Sequence, residues 1–267
     1  MKRSLPIGLL HPGEMGAAVG RCLVGAGHDV LWASAGRSEQ TAARAASAGL
    51  GDAGTAAELA RSAAVILSVC PPHAAVETAR SVAGFAGVYV DANAISPRTA
   101  RAVSAIVTGG GARYVDGGII GPPPDAPGST RMYLSAAVPA DAGEVRALFD
   151  GTALDARIAD AGPWSASAVK MAYAAWTKGS AALLLAARSL ADAEGVGQVL
   201  AAEWELSQPG LDARLRAAGR SAASKGWRWT AEMDEIAGTM GAAGLPEGFH
   251  RAAAEMFASF PREARGT

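Results

Sequence analysis

Cysteine is almost absent. Cys22 and Cys70 are the only two in 267 residues, and no pair of the kind found in metal motifs occurs. That leaves no basis for a disulfide framework or a structural zinc site, and the expected compartment is the reducing cytoplasm. Excess charge is absent too: 24 basic against 25 acidic residues leave a net charge of −1. Neither nucleic acid nor an anionic membrane is therefore an expected partner. Long apolar runs are missing. Behind Met1-Lys2-Arg3 the run from Leu5 ends after Leu10 in His11-Pro12-Gly13, and the Ala181–Ala187 stretch is flanked by Lys178 and Arg188. The first is too short for a secretory core and neither spans a bilayer, so a soluble protein is expected. Lysine is scarce where arginine is common, appearing only at Lys2, Lys170, Lys178 and Lys225. A lysine in an apolar helix then invites a reason, because desolvation can strip its proton and cannot strip arginine's.

What is present is half hydrophobic and only 18% charged, enough for a sizeable core. Pro6–Leu10, Asp29–Ala33, Ala64–Val69 and Gly87–Asp91 read as buried strands, rich in Val, Ile and Leu and bounded by Gly, Pro or Asn. Helical stretches at Glu14–Ala26, Ser38–Ala48, Ala56–Arg61, Ala74–Ala83 and Pro97–Val107 alternate with them. That alternation implies right-handed βαβ units and a parallel, doubly wound α/β sheet. Strands near Arg113–Val115, Arg131–Leu134 and Ala153–Ile158, with a helix at Ala140–Phe149, complete the pattern. From about Gly162 no strand is expected. A long run from Ser165 to Gly195 precedes helices near Val199–Leu206, Leu211–Ala223, Ala231–Ala243 and Gly248–Phe257, with breaks at Pro209, Gly210, Gly226, Gly244 and Pro246. The expectation is a Rossmann-type domain over 1–161 followed by an all-helical domain over 162–267.

Ile7-Gly8-Leu9-Leu10-His11-Pro12-Gly13-Glu14-Met15-Gly16 runs from strand through a tight turn into a helix. Gly13 and Gly16 fill the second and third places of a G-x-G-x-x-G fingerprint. The second glycine lets backbone approach a pyrophosphate; the third lets helix and strand pack closely. The first place holds His11. At the end of the second strand an NAD site commonly carries an acid for the ribose 2′-hydroxyl. Here Ser34, Arg37 and Ser38 stand instead, and Arg37 can pair bidentately with a 2′-phosphate. NADP(H) is the expected cofactor.

Met15-Gly16, the Gly27-His28 pair before the second strand, Ser68-Val69-Cys70-Pro71-Pro72 and Asp91-Ala92-Asn93-Ala94-Ile95-Ser96-Pro97 together resemble the β-hydroxyacid dehydrogenase superfamily. That superfamily includes 3-hydroxyisobutyrate and 6-phosphogluconate dehydrogenases, with imine reductases as cousins. The resemblance is greatest to a subgroup with a phosphogluconate-dehydrogenase-type C-terminal domain. It implies that Val69, Cys70 and Pro71 lie over the cofactor with His11, Pro12, Gly13, Glu14 and Met15, and that Asn93 and Ser96 lie near the nicotinamide. It also implies a substrate-binding stretch at Asp116-Gly117-Gly118-Ile119-Ile120-Gly121-Pro122. There Ile120 replaces the family's carboxylate-binding serine, which favours a more apolar substrate, or a polar role passed to Ser129 or Thr130. The family's helical lysine falls on Lys170, while the asparagine four residues later is Ala174. Tyr173 and Lys178 are further candidates on that helix. The late-helix lysine place of the family holds Met233.

These residues lead to an expected NADP(H)-dependent reductase or dehydrogenase for a small carbonyl or alcohol. Lys170 transfers the proton, and Tyr173 and Asn93 are further candidates for the chemistry. Ser96, Ile120, Gly121 and Lys178 shape the substrate site. The family also implies a homodimer built on the helix from Ser165. Imine reduction is the nearest alternative, and a non-catalytic NADP-binding sensor or scaffold is another.

Overall fold

The computed structural model describes residues 6–260. Met1 to Leu5, including Lys2 and the start of the first apolar run, and residues 261–267 lie outside them. The chain divides into two compact units at Lys170/Met171.

The first unit contains β1 (Ile7–Leu10), α1 (Glu14–Gly25), β2 (Val30–Trp32), α2 (Glu39–Ser47), β3 (Gly51–Asp52), α3 (Ala56–Ser62) and β4 (Val65–Ser68). A 3-10 turn (Pro72–Ala74) leads to α4 (Ala75–Arg80), β5 (Val88–Asp91), α5 (Pro97–Gly109), β6 (Arg113–Ile120), β7 (Thr130–Ala136), α6 (Pro139–Ala147) and β8 (Leu154–Ile158). The strands form one sheet in the order β3-β2-β1-β4-β5-β6-β7-β8. Neighbours are parallel except β6 and β7, which pair antiparallel. The order reverses between β1 and β4, and crevices at such switch points are where open α/β sheets bind ligands.

Strand alternation builds a core on both faces. Leu9, Leu67, Val90 and Val115 join one buried cluster; Leu10, Ile66, Tyr89 and Tyr114 join the other. Ser38, Thr55 and Ser96 cap α2, α3 and α5 through their hydroxyls, which is why those helices start where they do. No side chain caps α1.

Four features of the first unit differ from expectation. The two-residue β3 has no apolar pattern to announce it. The sheet is not wholly parallel, because β6 and β7 meet as antiparallel neighbours. β6 runs on through Gly117 and Gly118 to Ile120, where those glycines suggest a strand ending at Val115. A Cβ on Gly118 would sit 2.7 Å from the Ala166 carbonyl oxygen, so the glycine serves close packing inside a strand. Finally, the first unit extends to Lys170, beyond the expected limit at residue 161. The opening turns of α7 (Ser165–Ala193) are tied to β6 and β7.

The second unit holds the rest of α7, with α8 (Gly197–Ser207), α9 (Leu211–Ala242) and α10 (Gly248–Ala258). The expected break at Gly226 does not occur: α9 is one helix of 32 residues. A Cβ at Gly226 would lie 3.1 Å from that of Phe260, so this glycine admits a close neighbour and does not interrupt the helix. Met171, Met233, Ile236 and Phe257 centre the core, with Trp229 edge-on to Phe257 at 5.0 Å. No described helix is long and apolar enough to cross a membrane.

Candidate active site

The loop from β1 to α1 carries the site's most constrained backbone. His11 has φ 65°, the one non-glycine residue in the left-handed region among those described. The turn closes through Gly13 N–H donating to the His11 carbonyl at 2.7 Å. A Cβ on Gly16 would lie 2.5 Å from that carbonyl oxygen, a contact backbone cannot relieve by rotating a side chain. A Cβ on Gly13 would meet nothing within 4 Å. One glycine is therefore needed for packing, and the other faces open space beside a helix N-terminus that no side chain caps. Backbone N–H groups and the helix dipole favour an anion there. Pro12 is buried, Met15 half-buried and Glu14 exposed.

The neighbouring loops converge on this turn. Val69 N–H donates to the Leu10 carbonyl at 3.3 Å, joining the ends of β1 and β4. Arg37, exposed in the loop after β2, acts on His11: burial first and then the Arg37 charge lower the imidazole to about 4. His11 is thus neutral near pH 7, and its Nδ1 is buried without a hydrogen-bond partner. Ser34 donates to Asp52 at the end of β3, whose carboxylate also accepts from Gly54 N–H at 2.8 Å. Ser38 is occupied as the cap of α2. Of the three residues expected at the 2′ position, Arg37 is the one whose polar group is not spent on such a bond. Arg44 of α2, which the sequence did not single out, reaches the Pro12 carbonyl at 3.4 Å. These residues fit a dinucleotide: open room at Gly13, an uncapped helix N-terminus, two arginines at the rim and a buried ring nitrogen awaiting a partner.

Behind the loops lies a buried polar network. Asn93, 2% exposed, accepts from Cys70 N–H at 2.6 Å and donates to Ser68 Oγ at 3.0 Å and Asp91 Oδ1 at 2.6 Å. All of its polar atoms are committed, so Asn93 clamps the ends of β4 and β5 together. That clamp places Cys70, whose thiol burial pushes up to about 11, and Pro71, which leads into the 3-10 turn. Asp91 also accepts from Tyr114 Oη at 3.3 Å. Across the sheet its register partner is Asp116. Burial, then the Asp116 charge, raise Asp91 to about 7; burial raises Asp116 to about 6.

Asp116 fixes the start of α7. It accepts from Ser167 N–H at 2.8 Å and from the Ser167 hydroxyl, while Ser135 Oγ accepts from Ala166 N–H at 3.0 Å. Lys170 follows one turn later, its Cβ 3.0 Å from where a Gly118 Cβ would be. Half-buried Lys170 thus leaves a helix turn pinned to the sheet. Ser167 was not singled out from sequence, and Asp116 entered only as the first residue of the expected substrate-binding stretch. The repeated Tyr-Val-Asp, at 89–91 and 114–116, was the available signal.

Ser96 spends its hydroxyl capping α5, and Ile120 is 3% exposed on β6. Gly121, at φ 127°, would press a Cβ within 2.5 Å of the Ser129 carbonyl oxygen. Ser129 and Thr130 donate to the Ala126 and Pro122 carbonyls, so neither hydroxyl is idle.

In the second unit Tyr173 is 46% exposed. Lys178 pairs with buried Glu232 and lies 5.4 Å from the centre of the Trp229 ring. His250 is only 7% exposed; its Nε2 lies 3.2 Å from the Ala175 carbonyl. It lines an apolar groove of about 610 Å³ with Trp176, Leu183, Phe249 and Met256.

Residues 6–158 match the NAD-binding domain of 6-phosphogluconate dehydrogenase, more than half of the chain. The chain belongs to the β-hydroxyacid dehydrogenase superfamily. Residues 191–260 match a domain of unknown function, DUF1932. Among solved structures the chain resembles the conserved protein MTH1747, of unknown function and described as similar to 3-hydroxyacid dehydrogenases. Identity is 26%, coverage 96% of each chain and TM-score 0.72. A 3-hydroxyisobutyrate dehydrogenase from Salmonella typhimurium shares the fold at 19% identity, with 96% and 94% coverage and TM-score 0.73. A reductive aminase from Aspergillus terreus, solved with NADPH and ethyl levulinate, shares it at 20% identity, with 98% and 95% coverage and TM-score 0.61. No curated protein matches by sequence. As a β-hydroxyacid dehydrogenase superfamily member, the chain carries a nicotinamide-cofactor domain of the oxidoreductase type, and the loop at Gly13 and Gly16 lies within the matched residues.

Proposed function

We propose that the protein is an NADP(H)-dependent reductase or dehydrogenase for a small carbonyl or alcohol, with Lys170 handling the proton. The observation that carries this reading is the Asp116–Ser167 anchor, which fixes the helix turn just ahead of Lys170. Bound dinucleotide supplies or accepts hydride at the substrate carbon. Carbonyl reduction then needs a proton on oxygen, and a positioned donor contributes about 10²–10⁴-fold. The Lys170 ammonium delivers it, and in the oxidative direction the amine takes it back. Asn93, its side chain fully bonded, positions the loops and leaves proton transfer to Lys170. The preference for NADP(H) rests on Arg37, since Ser34 and Ser38 are engaged elsewhere.

Buried, apolar Ile120 in place of a carboxylate-binding serine favours a second reading, imine reduction. Trp176, Leu183 and Leu190, seven residues apart on α7 and 68%, 71% and 64% exposed, support a homodimer through that helix. Sedimentation checks it: a monomer at tens of micromolar or above removes this part of the proposal.

The deciding experiment follows NADPH oxidation with aldehydes, keto acids and cyclic imines. Lys170→Ala is expected to lose about 10²-fold or more in turnover while NADPH binding holds. Wild-type turnover retained in Lys170→Ala would remove the lysine's role. Binding without turnover on any substrate would favour a cofactor sensor.

A further inference from the structure

His11 stands at the first glycine place of the fingerprint, where a glycine would hold the backbone at no steric cost. Its φ of 65° is disfavoured for any residue with a Cβ. The ring is largely withdrawn from water, and Nδ1 has no partner. Strained backbone and an unsatisfied buried nitrogen thus fall on one side chain. Such costs gather where a ligand supplies what is missing. The surrounding charges narrow the ligand. The Arg37 charge acts on the ring from the loop after β2, and Arg44 of α2 reaches the adjoining Pro12 carbonyl. Cys70, beyond β4, is an uncharged thiol near neutral pH. Glu14, exposed on the first turn of α1, is the carboxylate of the loop itself. Two guanidinium groups beside a neutral imidazole make a place for a doubly charged anion.

We propose that His11 is a selectivity residue for the 2′-phosphate of the dinucleotide, holding it jointly with Arg37 and taking up one proton from solvent as it does so. This rests on the NADP(H) reading above. No covalent bond changes: the neutral imidazole becomes an imidazolium paired with a phosphate oxygen. In the free protein, burial and the Arg37 charge keep the ring neutral. A phosphate dianion between the two cations cancels that repulsion and raises the ring's proton affinity. By linkage, whatever strengthens proton binding is itself bound more tightly at lower pH. NADPH affinity therefore falls as pH rises through the bound-state value of His11. NADH, which lacks the 2′-phosphate, shows no such dependence.

The test titrates NADPH and NADH by fluorescence from about pH 6.5 to about pH 8.5 into wild type and His11→Gly, where each proton taken up gives at most a tenfold change per pH unit. Calorimetry of NADPH in two buffers of different ionisation enthalpy counts the protons. Glycine suits φ 65°, so His11→Gly should fold, and its thermal midpoint checks that. In wild type, NADPH affinity should fall about tenfold over the range while NADH affinity stays flat. His11→Gly should bind NADPH about tenfold more weakly at the acid end, with no pH trend and with its NADH affinity within about twofold. An unchanged NADPH/NADH ratio and proton count in His11→Gly overturns the proposal. Equal weakening of both nucleotides also overturns it, by placing the ring on the pyrophosphate they share. Failure of the underlying reading looks different: wild type would bind no NADPH at any pH.

Discussion

Replacing Gly118 by alanine adds one methyl group at the contact between β6 and α7. The new Cβ would stand 2.7 Å from the Ala166 carbonyl oxygen, 3.3 Å from its carbon and 3.0 Å from Lys170 Cβ. Two of these neighbours are helix backbone, so side-chain rotation cannot relieve the contact. The helix start cannot retreat freely either, because Asp116 holds Ser167 N–H and Ser135 holds Ala166 N–H. Overpacking of this kind costs about 1–3 kcal/mol. Relief comes from tilting the first turn by several tenths of an ångström, and Lys170 moves with it. Misplacing a reacting group by about 1 Å can cost about 10²-fold in rate. Gly118→Ala should therefore lower stability in a denaturant titration and cut turnover on the best substrate of the panel by about 10-fold to 10²-fold. NADPH affinity should stay within about twofold, because Gly13 and Gly16 are untouched. A destabilised variant with wild-type turnover would refute the link between the α7 anchor and the chemistry.

Other outcomes follow from the same geometry. Gly16→Ala, whose methyl would press the His11 carbonyl, should cost about 1–3 kcal/mol of stability and at least tenfold in dinucleotide affinity; unaltered affinity by titration would contradict the role of the turn. Lys178→Met leaves Glu232 buried without its ion-pair partner and should destabilise the second unit by about 3–5 kcal/mol, read by chemical denaturation; a neutral result would show the pair contributes nothing. Asp91 and Asp116 are raised to about 7 and about 6, so the folded state holds their protons more tightly than the unfolded chain does. Their stabilising contribution is full below about pH 4 and is lost as pH rises toward 7, at up to about 1.4 kcal/mol per pH unit per group. Asp91→Asn should make the decline of stability between those limits shallower than in wild type, and identical slopes would show that Asp91 does not titrate there.

Most of the sheet was legible because β1, β4 and β5 are buried on both faces and read as short, mostly apolar runs bounded by turn residues. Gly51-Asp52 carries no such run, and β3 exists only through pairing with β2. Gly117-Gly118 and Gly226 looked like interruptions. Local propensity marks glycine as a breaker, yet here its missing Cβ admits a neighbouring helix, which only tertiary structure reveals. The strand-turn-helix at Gly13 and Gly16 was readable because its glycines lie within one short stretch of sequence. The Asn93 clamp and the Asp116–Ser167 anchor join residues far apart in the chain, so only the repeated Tyr-Val-Asp hinted at them. Ser34 and Ser38 were read as phosphate ligands from type and position. The Ser34 hydroxyl donates to Asp52 and the Ser38 oxygen accepts from the α2 backbone, bonds that residue type and position do not announce.

On the NADP(H) reading, Arg37 holds the 2′-phosphate end of the bound dinucleotide. Fluorescence titration of NADPH and NADH into wild type and Arg37→Ala tests it most directly. NADPH should bind more tightly than NADH, and the variant should lose about tenfold or more for NADPH alone, the loss of a charge-assisted pair. No binding of either nucleotide, or a preference for NADH that the variant leaves unchanged, would contradict it.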